Sequence, residues 1–137
     1  GTSIIDWRQR LEGGIADEVN LRPLLLLPPR DWLHDRCDQR FEQMMEQGAV
    51  DEVRSLLALN LPADAPVMRA IGVPEISAML NGEIDRAEAV SRGQAATRQY
   101  AKRQYTWFRN QPPKDWPRWI EALNDSDMTQ IERLLQF

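Results

Sequence analysis

Four consecutive leucines, Leu24 to Leu27, stand between Pro23 and Pro28-Pro29. Proline removes a backbone donor and pushes the residue before it out of the α region, so this run is too short and too tightly bounded for a helix. A short strand buried on both faces is the better reading. It is the only good strand candidate in the chain, and one strand cannot make a sheet. Either the run is an apolar extended linker, or its sheet lies in sequence beyond these 137 residues. The other ordered segments carry helical periodicity. The fold class that follows is mainly α, with about five to six helices plus one short strand.

The chain is acidic, with 17 basic and 21 acidic residues and a net charge of −4. An apolar content of 42% can supply a core, which argues against wholesale disorder. The single cysteine, Cys37, allows no intrachain disulfide, and with one histidine it excludes the usual Cys/His zinc site. A reducing, intracellular setting fits. No basic, apolar leader pattern is present, and the leucine run is far too short to span a membrane. The first residues, Gly1-Thr2-Ser3, lack Met and suggest a truncated chain.

Along the chain, Ser3 can cap a short helix from about Ile4 to Leu11, stopped by Gly13-Gly14. Asp31 can cap a helix over Trp32 to Gln47 that ends at Gly48. Its apolar stripe is Leu33, Cys37, Phe41, Met44 and Met45, and Asp35, Asp38 and Glu42 form its solvent face. Arg36 and Arg40 lie on the apolar side. Burying two guanidinium groups there requires a facing anion, either a carboxylate of another segment or a phosphate. A third helix runs from Val50 to Leu59, followed by a Pro-rich loop from Asn60 to Pro66. In the stretch from Val67 to Leu80, Gly72 and Pro74 interrupt the helical pattern. Pro74 suits the first position of a new helix. The break either frees N–H groups near Gly72 for a ligand or is a plain helix–turn–helix corner. Asp127 can cap a last helix, Met128 to Phe137. Trp116 and Trp119, in a Pro-punctuated stretch, pack back on the core.

The segment Asp85 to Arg109 reads as one long helix, with Asp85 and Glu88 resembling a capping box and Pro112-Pro113 ending it. Between Ala89 and Lys114 there are six positive charges (Arg92, Arg98, Lys102, Arg103, Arg109 and Lys114) and no acid. At helical spacing Gln94, Arg98, Lys102, Tyr105 and Arg109 share a face, while Val90, Ala96, Tyr100, Ala101, Trp107 and Phe108 cover the other. The aromatic side is expected to bury and the basic side to meet a polyanion; a solvated basic face is the bland alternative.

Four stretches occur together and in order: Arg36-Cys37-Asp38-Gln39-Arg40-Phe41-Glu42-Gln43-Met44, Gly48-Ala49-Val50-Asp51-Glu52-Val53, Met68-Arg69-Ala70-Ile71-Gly72, and Ala96 through Arg109. Together they resemble the C-terminal part of the bacterial tRNA dimethylallyltransferases, over about Ser3 to Arg109 with a looser tail. The resemblance implies transfer of a dimethylallyl group from dimethylallyl diphosphate to N6 of the adenosine 3′ to the anticodon. It also implies a parent α/β fold of the P-loop nucleotide-kinase type, a monomer in the cytoplasm, with Mg²⁺ and tRNA as partners. The family's Gly-rich loop and general-base aspartate find no match here. The implied organisation is a fragment: residues 1–29 end the α/β core and carry its last strand, 30–110 form a helical tRNA-binding part, and 111–137 form a helical tail. No catalytic residue and no metal ligand is assigned in it, and the fragment alone is expected to be inactive, with its leucine strand free to self-associate.

Matched residue by residue, the resemblance implies that Arg40, with Arg36 beside it, binds the diphosphate. It places tRNA contacts at Arg69, Gly72, Lys102, Arg103, Gln104, Tyr105, Thr106 and Arg109, and Arg98 of the basic face is assigned to the tRNA beside them. One departure stands out: Val73-Pro74 occupies a place where the family commonly has Tyr followed by Arg or Lys, so a cation is lost. The implied chemistry is displacement at the allylic carbon with the departing diphosphate held by cations and Mg²⁺, on a base extruded from the anticodon stack. The competing readings are a free-standing helical RNA-binding module without chemistry and a helical protein–protein scaffold, which predicts weak, salt-insensitive RNA binding.

Overall fold

The computed structural model describes residues 14–15, 18–124 and 127–135. The expected helix over Ile4 to Leu11, with its Ser3 cap, lies outside the described residues. Among the described residues there are five α-helices, one 3₁₀ turn and two short strands: β1 (Leu25–Leu26), α1 (Arg30–Glu46), α2 (Ala49–Ala58), the 3₁₀ turn (Pro66–Arg69), α3 (Val73–Leu80), α4 (Arg86–Asn110), β2 (Arg118–Trp119) and α5 (Met128–Leu135).

The leucine strand is not alone. It pairs in parallel with Arg118–Trp119, Leu25 opposite Arg118 and Leu26 opposite Trp119. The Leu25 N–H donates to the Pro117 carbonyl at 2.9 Å and the Leu27 N–H to the Trp119 carbonyl at 2.7 Å. Both readings of β1, a linker or a strand whose sheet lies elsewhere, missed this partner, and β1 is not the last strand. Pro117 hides β2 in the sequence, yet it fits there: it enters the strand through its carbonyl and needs no N–H. Nor are both faces of β1 buried. Leu25 and Leu27 are buried with Trp119, while Leu26 is 48% exposed, the period-two alternation of a half-buried strand.

Helix α1 begins at Arg30, directly after Pro29, and Asp31 sits in its first turn without capping it. An acid there still complements the helix dipole. Gly48, at φ 113°, turns the chain from α1 into α2. Helix α3 starts at Val73, so Pro74 is its second residue. The Gly72 N–H donates to the Glu75 carboxylate at 2.9 Å and the Val73 N–H to the Ala70 carbonyl at 3.0 Å. These donors are used inside the corner and are not left free for a ligand. Asp85 caps α4 by accepting from the Glu88 N–H at 2.7 Å, while the Glu88 side chain pairs with Arg92 instead of closing a capping box.

The core is where α1, α2, α3 and α4 meet, built on Phe41, Met45, Val53, Val73 and Ile76. Helix α4 contributes its small residues. Ala89 is fully buried, and Gly93 is buried directly against the Phe41 ring. A Cβ at Gly93 would stand 2.0–2.5 Å from three ring atoms of Phe41, so the two helices can approach this closely only because position 93 has no side chain.

Candidate anion and nucleic-acid surface

The close approach at Gly93 determines what lies on either side of it. Gln94 and Arg98 of α4 are four residues apart, as are Asp38 and Glu42 of α1. Gln94 Nε2 donates to Glu42 Oε1 at 2.9 Å, and Arg98 pairs with Asp38. The order is reversed between the partners, so the helices run antiparallel. Of the expected solvent face, Asp35 and Glu42 are exposed, while Asp38 is half-buried by its pairing. Asp38 and Glu42 meet the first part of the basic stripe, and Arg98 is a half-buried structural partner. The signal was present in the sequence as two i,i+4 pairs of matching polarity.

Past Arg98, α1 and α4 enclose a cleft of about 440 Å3. Its floor is apolar, from Leu33, Cys37, Phe41 and Met44 of α1 and Ala101 of α4, with Ile71 at one side. Arg40, Thr97, Tyr100 and Gln104 supply its polar groups. Arg40 is exposed, contrary to the expected burial, and has no ion-pair partner among the described residues. An unpaired guanidinium over an apolar floor suits a ligand with an anionic head and a hydrocarbon tail. Cys37 lies in the same floor. Burial pushes its thiol above the ordinary value and the Asp38 charge adds to this, with Arg40 and Arg98 opposing. The neutral thiol is thus favoured, which does not suit a nucleophile.

Arg36 does not join Arg40. It is exposed, with its guanidinium 5.0 Å from the centre of the Trp32 ring. It lines a different cavity, on the strand side of α1, with Leu24 and Leu26.

The burial of α4 follows the expected face over its first part and departs from it at the end. Its buried line runs through Ala89, Gly93 and the half-buried Thr97, Ala101 and Tyr105, with Val90 packed on the core and Ala96 half-buried. The aromatic end of the side expected to bury is open: Trp107 is 56% and Phe108 44% exposed, and their rings meet edge to face at 5.1 Å. Lys102, Arg103, Thr106 and Trp107 form an outward strip. Arg109 is exposed near its end, and Arg103 lies 5.3 Å from the Tyr100 ring centre. Thr106 Oγ1 donates to the Lys102 carbonyl at 2.8 Å. Arg69 is exposed at the end of the 3₁₀ turn, whereas Gly72 is buried with Phe41 as its neighbour. Cations interleaved with an open indole are what a single-stranded nucleic acid needs: charge for phosphates and a flat face for a base.

Among the described residues no three His, Cys, Asp or Glu side chains converge to hold a metal ion. No described helix is long and apolar enough to cross a membrane.

Comparison with known proteins fits this geometry. The family model "IPP transferase" matches residues 1–111. The tRNA dimethylallyltransferase of Sphingopyxis alaskensis is 62% identical over 124 residues, covering 90% of this chain and 40% of that protein. That of Erythrobacter litoralis is 59% identical over 137 residues, covering all of this chain and 43% of its own. The crystal structure of the full-length tRNA isopentenylpyrophosphate transferase from Bacillus halodurans superposes with a TM-score of 0.70 at 30% identity, over 94% of this chain and 43% of that one. This chain thus spans about two fifths of the length of these relatives. Fold and sequence agree, and the chain belongs to the IPP transferase family.

Proposed function

We propose that this chain supplies the helical, RNA-facing part of a tRNA-modifying prenyltransferase, one that moves a dimethylallyl group from dimethylallyl diphosphate to N6 of the adenosine 3′ to the anticodon. The observation that carries the reading is the outer strip of α4, where Lys102, Arg103 and Arg109 stand with an exposed Trp107 and no acid occurs between Ala89 and Lys114. The phosphates of a splayed anticodon loop would lie along these cations, and an extruded base would find an aromatic face. Arg40 would hold the anionic end of the diphosphate at the rim of the cleft, with the five-carbon tail against the apolar floor. Its fixed positive charge favours the departing diphosphate as the allylic bond breaks.

The test is electrostatic. In the full-length transferase that this reading implies, Lys102→Ala, Arg103→Ala and Arg109→Ala together should weaken tRNA binding regardless of sequence. Each lost phosphate contact should flatten the salt dependence of log K by about 1. Binding measured across a salt series checks this, and an unchanged affinity and slope would make the strip an ordinary solvated surface. The alternative, a helical RNA-binding module without chemistry, predicts the same loss but no prenyl transfer by the full-length protein.

A further inference from the structure

Helices α1 and α4 enclose a second, smaller cavity of about 160 Å3, lined by Arg30, Leu33, His34, Lys102 and Tyr105. Leu33 lines the main cleft as well, so the two spaces share a wall. Three of the five lining side chains are basic and none is acidic. The Arg30 guanidinium lies 5.3 Å from the centre of the Tyr105 ring, a contact that orients it. Tyr105 is tied down in turn, its hydroxyl donating to the Leu27 carbonyl at 3.4 Å. Arg30, His34 and Lys102 make no ion pair among the described residues. Hydrogen-bond donors gathered in one small recess without a carboxylate suit an anionic ligand.

We propose that Arg30, His34 and Lys102 form a binding site for a single phosphate group, and that this group is an internucleotide phosphate of the bound RNA. The inference rests on the RNA-binding reading of α4. Lys102 connects the two surfaces, because it lines both the outer strip and this recess. A strand that follows the outer face of α4 therefore passes the mouth of the recess. Arg40, the group suited to a free diphosphate, opens into the other cavity. Two residues of α1 thereby join the RNA surface, and one phosphate is clamped between both helices instead of lying on one.

The experiment compares the full-length transferase with its Arg30→Ala/His34→Ala variant, using an anticodon stem-loop RNA across a salt series and, separately, KM for dimethylallyl diphosphate. The expected result is weaker RNA binding, a salt slope flattened by about 1, and an unchanged KM for the diphosphate. RNA affinity and slope equal to wild type would overturn the site while leaving the reading of α4 intact. A raised KM for the diphosphate with an unchanged RNA slope would overturn the assignment to RNA in favour of the free diphosphate. Failure of the wild-type protein to bind RNA would remove the reading of α4 and this site with it. If the alanine variant loses its helical circular dichroism, Arg30→Gln/His34→Gln, which removes charge but keeps polar bulk in the recess, decides by the same criteria.

Discussion

Gly93→Ala should destabilise the chain by about 2 kcal/mol, although alanine is the better helix former. In a helix interior the substitution alone gains about 1 kcal/mol. Against that, the new methyl would lie 2.0–2.5 Å from the Phe41 ring, where carbon atoms prefer about 3.5–4.0 Å. The ring is 3% exposed and belongs to the central cluster, so displacing it toward the cleft it lines disturbs that packing. Overpacking of this kind typically costs about 1–3 kcal/mol and occasionally more, enough to outweigh the propensity gain. Urea denaturation of the two proteins measures the difference. A second variant identifies the cause: in Gly93→Ala/Phe41→Leu the smaller side chain should recover part of the loss, a positive coupling between neighbours. A Gly93→Ala protein as stable as the parent would mean that α1 and α4 do not cross at this glycine.

Arg40→Ala in the full-length transferase should lower kcat/KM for dimethylallyl diphosphate by about one to two decades while leaving tRNA affinity nearly unchanged. A charge-assisted hydrogen bond to phosphate is worth about 1.5–3 kcal/mol. Arg40 is exposed at the cleft rim and has no ion pair to lose among the described residues, so the fold should tolerate the change. Steady-state kinetics with each substrate varied in turn separate the two effects. Wild-type efficiency with the diphosphate would make Arg40 a solvated surface cation, and an equal loss in tRNA binding would move it to the RNA surface.

The helices were legible because their punctuation is local. Gly48 ends one helical pattern and Asp85 caps another, and both act on the residues beside them. The strand β2 was not legible. Its residues sit in a Pro-rich stretch, and it becomes a strand only because Leu25 and Leu27 supply donors from far away in the sequence. The open end of α4 was not legible for a different reason. Periodicity finds the face of a helix but not how far along it the core extends. Ala89 and Trp107, about five turns apart, share one side of α4, yet Ala89 and Gly93 are buried at the close helix crossing while Trp107 and Phe108 are exposed. Of the candidate site, the residue types were readable and their grouping was not. Arg36 and Arg40 are four positions apart yet line different cavities. Arg30 and His34 gave no signal until Lys102 was seen across from them.

The pairing of β1 with β2 also bears on the order of folding. The helical contacts of α1 to α3 join segments that are close in sequence, so they can form early at small entropic cost. The strand pair joins opposite ends of the described chain, and closing that loop is rewarded by only a two-residue ladder and the burial of Leu25, Leu27 and Trp119. It is therefore expected to form last and open first. The Leu25 and Leu27 amides should exchange with solvent well ahead of those in the middle of α1 and α4, at an opening free energy below that of global unfolding. The same clasp makes the tail after α4 a latch on the leucine strand: with the tail detached, three large apolar side chains would face water at once, and a nascent chain would carry that liability until synthesis had passed Trp119.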